Sequence, residues 1–142
     1  MPGSSARTKL LLALAAILAA CAKDSPTAPA TRLAFGDWGG NHAQVVATDS
    51  VTEVTYICTS GEFAGNIPLD VMGRFAVNGS FYPYAGPISG NGPMPAQFSG
   101  LVEGNTLTFA IAVSDTVEHR VISLGPQVVV LGEAANIVVC PG

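Results

Sequence analysis

Phe98-Ser99-Gly100-Leu101-Val102-Glu103-Gly104-Asn105-Thr106-Leu107-Thr108-Phe109-Ala110-Ile111-Ala112-Val113 is the stretch that decides the fold class. Phe98, Gly100 and Val102 alternate with Ser99, Leu101 and Glu103. After Gly104-Asn105, Leu107, Phe109, Ile111 and Val113 alternate with Thr108, Ala110 and Ala112. Side chains of a pleated strand point to opposite faces in turn, so a period of two on either side of a glycine-containing dipeptide predicts an antiparallel hairpin with one apolar face.

The same period recurs upstream. Phe75, Val77, Gly79 and Phe81 share one face, with Arg74, Ala76, Asn78, Ser80 and Tyr82 on the other, and Gly79 in mid-strand predicts a bend or a close backbone approach. Thr52, Val54, Tyr56 and Cys58 share a face against Glu53, Thr55 and Ile57, which points Cys58 inward beside Tyr56. Before them, Ala43, Val45 and Ala47 form a shorter run that turns at Asp49-Ser50. Gly61 to Asp70 is irregular. The Pro- and Gly-dense stretch from Pro83 to Ala96, flanked by Tyr82 and Tyr84 and carrying Ile88 and Met94, predicts a long surface loop. Downstream, Ser114-Asp115 turns into Val117 to Leu124, Gly125-Pro126 breaks the chain, and Gln127 to Leu131 and Asn136 to Cys140 are short β-branched segments.

No segment after the first twenty residues carries a helical period. About eight short strands joined by tight turns predict an all-β domain, a small antiparallel up-and-down β-barrel, with a β-sandwich as the alternative.

The N-terminal part is of another kind. Arg7 and Lys9 precede an unbroken run of Leu, Ala and Ile from Leu10 to Ala20, too short for a spanning helix of about 20 apolar residues and ended by Cys21, Lys23, Asp24 and Pro26. Leu18-Ala19-Ala20-Cys21 resembles the recognition sequence of bacterial lipoproteins. The resemblance implies cleavage before Cys21 and acylation of its sulfur, palmitate-type chains that anchor the protein in a membrane. Residues 1–20 are then the signal peptide, 21–32 a Pro- and Ala-containing linker and 33–142 the barrel domain. Ala22 after the cysteine resembles the outer-membrane sorting pattern of Gram-negative lipoproteins, placing the protein in the cell envelope, at the periplasmic face or the cell surface.

With Cys21 assigned to lipid, Cys58 and Cys140 remain as a pair in an exported chain, and a disulfide is expected. Closing a loop of about 80 residues contributes on the order of 4 kcal/mol in the chain-entropy model. A metal site is disfavoured, because the two cysteines have no His or carboxylate motif beside them. Past residue 20, four basic residues face ten acidic ones, a net charge of −6. Such a surface argues against nucleic acid and against electrostatic docking to anionic lipid.

Gly36-Asp37-Trp38 resembles the G-x-W that opens the first strand of lipocalins, avidins and other calycin-type barrels. The resemblance implies that Trp38 closes one barrel end against a late basic side chain, for which Arg120 is the candidate. From Trp38 to Cys140 the chain also resembles a group of small bacterial envelope proteins with no established activity, through Trp38-Gly39-Gly40-Asn41-His42, Gly73-Arg74-Phe75, Phe98-Ser99-Gly100 and the paired cysteines.

Chemistry is sparse. His42 and His119 belong to no metal or catalytic spacing, and no G-x-S-x-G elbow or phosphate cradle is present. Asp115, Glu118, His119 and Arg120 read as a solvated turn, and a His42–Asp37 pair is the one arrangement that could serve a hydrolase. No cofactor is expected. Trp38, His42, Tyr82, Tyr84 and Arg120 are the candidate binding or barrel-end residues. The expected role is non-enzymatic, the binding of a small apolar ligand or an envelope protein, with an inhibitor or assembly module as the alternative.

Overall fold

The computed structural model describes residues 29–83 and 92–137. Within them the chain is all-β, and its strands close into an eight-stranded antiparallel barrel in sequence order: β1 (Gly36–Gly39), β2 (Ala43–Ala47), β3 (Val51–Tyr56), β4 (Thr59–Ala64), β5 (Arg74–Tyr82), β6 (Met94–Glu103), β7 (Thr106–Asp115) and β8 (Arg120–Leu131). The up-and-down barrel is the architecture expected from the alternation, and the sandwich is set aside.

The β6–β7 hairpin runs unbroken from Ala96 opposite Val113 to Glu103 opposite Thr106, around Gly104, whose φ of +61° only glycine adopts freely. Its inward residues Phe98, Leu107, Phe109, Ile111 and Val113 are buried. Phe98 is the hub of the interior, its ring centroid lying 5.1 Å from that of Phe63, 4.9 Å from Phe75 and 5.3 Å from Phe109, the last two edge-on. Edge-to-face rings set the positive edge of one quadrupole against the negative face of the next. Gly79 makes the close approach expected of it: a Cβ there would sit 2.2 Å from the Glu62 carbonyl oxygen and 2.5 Å from the Phe63 ring. The missing side chain is the space Phe63 fills.

Several expectations are corrected. Thr59–Ala64 is a full strand, β4, turning Gly61 and Phe63 inward; Ser60, Gly61 and Glu62 carry little strand propensity, and pairing on both sides imposes the conformation. The segment after Tyr82 is shorter than the expected loop, because β6 begins at Met94, which pairs with Phe81, and Ala96 is buried. Tyr84 and Ile88 lie outside the described residues. Gly125-Pro126 does not end a strand: β8 passes through it with a bulge opposite Phe109–Ile111, where Gly125 takes φ +105°. A bulge leaves residues unpaired, which is where proline fits within a sheet. Val117 belongs to the turn before β8.

The two ends of the barrel differ. At one, called here the strap end, the segment before β1 crosses the opening: Leu33 N–H donates to the Ile67 carbonyl (2.9 Å), Leu69 N–H to that of Thr31 (2.9 Å), and Leu33 and Ile67 are buried in the core. The turns after β2 and β6 and the β4–β5 connection lie at this end. At the other, called the rim, lie the turns after β1, β3 and β7 and the open ends of β5 and β6.

Candidate functional site

Trp38 is fully buried in the core, and its indole Nε1–H donates to the Ala34 carbonyl (3.0 Å), pinning the strap. The two residues after it are glycines for a steric reason. A Cβ on Gly39 would stand 2.2 Å from the Glu133 carbonyl oxygen, and one on Gly40 would stand 2.3 Å from that of Val128. The end of β8 and the chain after it lie directly against this stretch. They are held by Gly132 N–H to the Asp37 carbonyl (2.8 Å), Asn136 N–H to that of Gly40 (3.0 Å) and His42 N–H to that of Asn136 (2.8 Å). Trp38-Gly39-Gly40-Asn41-His42 is therefore a closure device, in which one residue fills the core and the next four receive the C-terminal segment.

His42 is exposed at the rim, in the left-handed region at φ +68°, and among the described residues no hydrogen bond joins it to Asp37. Its carbonyl accepts the N–H of Ile57 (3.2 Å). Cys58 does not point inward from a strand. Alternation ends at Tyr56, and Ile57 and Cys58 form the two-residue turn into β4, with φ of +26° and +60°. Both central residues of such a turn take positive φ, a place normally filled by Asn-Gly or Asp-Gly. A β-branched residue in that region is costly, by about 1–3 kcal/mol. The Ile57–His42 hydrogen bond and that of Thr59 Oγ1 to the Tyr56 carbonyl hold the turn in place.

Tyr82 ends β5, half exposed, its hydroxyl 3.5 Å from Glu62 Oε2. Tyr82, Pro83, Cys58, Thr59 and Ile137 line a shallow rim groove of about 330 Å³. The structure thus brings His42, Cys58 and Tyr82 to one end. Ile137, which completes the groove, could not be picked out in sequence, since nothing marks a return of the chain end to the rim.

Arg120 starts β8 and is ion-paired with Glu118 (3.0 Å) and, more loosely, with Asp115 (3.8 Å), whereas Trp38 pairs with Leu131 at the opposite end of that strand. Arg120 is therefore not the basic partner of Trp38. Arg32 lies at the strap end, its guanidinium 4.3 Å from the Phe35 ring centroid. Asp115 caps the β7–β8 turn, Oδ1 accepting the N–H groups of Val117 (3.0 Å) and Glu118 (3.1 Å). The Glu118 amide, with Val117 and Arg120, holds its carboxyl below the usual range against some desolvation.

Apolar side chains fill the interior: Phe63, Phe75, Phe81, Phe98, Phe109, Trp38 and the branched residues of β2, β3, β7 and β8 make one continuous core. Gln127 Nε2–H donates to Tyr56 Oη (3.3 Å), joining β8 to β3 across the two shortest neighbouring strands. No three His, Cys, Asp or Glu side chains gather to hold a metal among the described residues. Cys21 and Cys140 lie outside them. No family model, curated protein or solved structure matches the chain at a significant level.

Proposed function

We propose that this chain is a lipid-anchored protein of the cell envelope that acts without catalysis, by presenting the rim of a solid barrel to another envelope protein. The observation that carries the reading is the filled interior: with Phe63, Phe75, Phe98 and Phe109 packed on one another, recognition is left to the outer surface. A small apolar ligand held inside, as in a hollow eight-stranded barrel, has no room beside these rings. On the rim, Ile57 and Tyr82 stay 44% and 39% exposed beside the groove, a combination of aliphatic and aromatic surface suited to a protein contact.

The outward faces of the strands favour a barrel that stands beside a membrane over one that spans it. Asn78, Ser80, Gln97, Ser99 and Thr108 look outward where a spanning barrel would need an apolar band. Membrane residence then rests on acylated Cys21. The Cys58–Cys140 disulfide fits the course of the chain: Ile137 shares the groove with Cys58, and three further residues reach at most about 10 Å.

Intact mass of the membrane-extracted protein should show loss of residues 1–20 and acylation at Cys21. A photo-crosslinker at Tyr82 in living cells should give a discrete adduct that the same group at Thr108, on the barrel side, does not. Absence of an adduct at Tyr82, or equal labelling from both positions, overturns the rim as a recognition surface. Alkylation of Cys58 in the unreduced protein would overturn the disulfide.

A further inference from the structure

The β4–β5 connection turns at Asp70-Val71-Met72-Gly73. Gly73 N–H donates to the Asp70 carbonyl (3.0 Å), and Asp70 Oδ1 accepts the N–H groups of Met72 (2.9 Å) and Arg74 (2.8 Å). Asp at the first position and Gly at the fourth are ordinary for a β-turn. The residues between them are not: Val71 and Met72 are 87% and 66% exposed, two apolar side chains held outward by a turn whose backbone is hydrogen-bonded on three sides. Turn tips are normally polar, and apolar residues there call for a reason.

The chain's own course supplies one. Pro29 and Ala30, where the described chain begins, lie in the same shallow depression as Val71, Met72 and Gly73, and the strap hydrogen-bonds to the connection at Leu69. Pro29 is the eighth residue after Cys21, a reach of at most about 28 Å. A sulfur-linked lipid therefore leaves the domain from beside this turn. The rim lies at the far end of β8, whose twelve residues run roughly 40 Å along the strand.

We propose that the strap end is seated on the lipid bilayer, with Val71 and Met72 entering its interface as a second, apolar contact beside the anchor; this rests on acylation of Cys21. The acyl chains on Cys21 hold the protein at the bilayer, and an apolar turn beside them fixes which end of the barrel faces it. Phe35 with Arg32 stacked on it, and Arg74 beside the turn, suit the same depth, since aromatic rings and arginine stems sit where hydrocarbon gives way to headgroups. Asp49 and Glu103 lie at this end too, so apolar insertion and not attraction to anionic lipid is the driving term. Seating this end turns the rim away from the membrane.

The test uses the full acylated chain in zwitterionic phosphatidylcholine vesicles with brominated acyl chains, reading the fluorescence of Val71→Trp against the unsubstituted protein, whose own Trp38 is buried. Val71→Trp should shift to the blue and lose roughly half its added intensity, and Val117→Trp, on the turn at the rim, should do neither. Met72→Trp repeats the reading should Val71→Trp misfold. Quenching at neither or both ends, with acylation verified by mass, overturns the seating and leaves the anchor standing; an unacylated Cys21 removes both.

Discussion

The β6–β7 hairpin and the β1–β8 seam close the same barrel by opposite means. The hairpin pairs along its whole length and buries Phe98, Leu107, Phe109, Ile111 and Val113 on its inner face. The seam pairs only Trp38 with Leu131 and Gly39 with Val130, and is completed by backbone hydrogen bonds from the segment that follows β8. One closes by side-chain burial, distributed over many residues, the other by a few main-chain contacts that two glycines make room for. The barrel should therefore be strong where its sequence is most regular and should open first where it is least so.

The largest expected effect breaks the strong side. Phe98→Ala removes the ring that touches Phe63, Phe75 and Phe109 and should cost about 4 kcal/mol, read as a global loss in denaturant unfolding with all probes moving together. At the seam, Gly39→Ala forces a methyl group against the Glu133 carbonyl and should cost about 2 kcal/mol. Its signature is spatial: the amides of Gly132 and Asn136 should lose hydrogen-exchange protection while those of the β6–β7 hairpin keep theirs.

Thr52 offers the converse. Its hydroxyl is buried on the inner face of β3 and finds no hydrogen-bond partner among the described residues, so Thr52→Val, nearly identical in shape, should stabilise the barrel by about 1 kcal/mol and raise Tm by roughly 4 °C. The smallest effect belongs to the β7–β8 turn. The folded-state pKa of Asp115 is depressed, so its contribution is fully present above the ordinary aspartate value of 3.8 and is lost as pH falls through the lower folded value. Asp115→Asn should flatten the stability profile below about pH 4 and leave it unchanged in shape at neutrality.

The same contrast explains what could be read without coordinates. The faces of β2, β5, β6 and β7 were legible because a half-buried strand needs alternation, and Phe75, Phe81, Phe98 and Phe109 supply it in large side chains. Strand β4 was not, since its conformation is imposed by β3 and β5. Cys58 was misplaced by one local event: alternation counted past Tyr56 runs into a turn built from Ile57 and Cys58, two residues that do not signal one. Gly39 and Gly40 were visible as letters, but their meaning depends on the carbonyls of Glu133 and Val128, far along the chain. The rim groove shares that fate, since Ile137 reaches Cys58 and Tyr82 only through closure.

The central claim is that the barrel is filled by its own side chains and works from its surface. Titration of the protein with a fluorescent polyene fatty acid, read by energy transfer from buried Trp38, tests it most directly. No saturable transfer is the predicted result. One-to-one, saturable transfer that Phe98→Ala strengthens would show that the interior admits a ligand and would contradict the account.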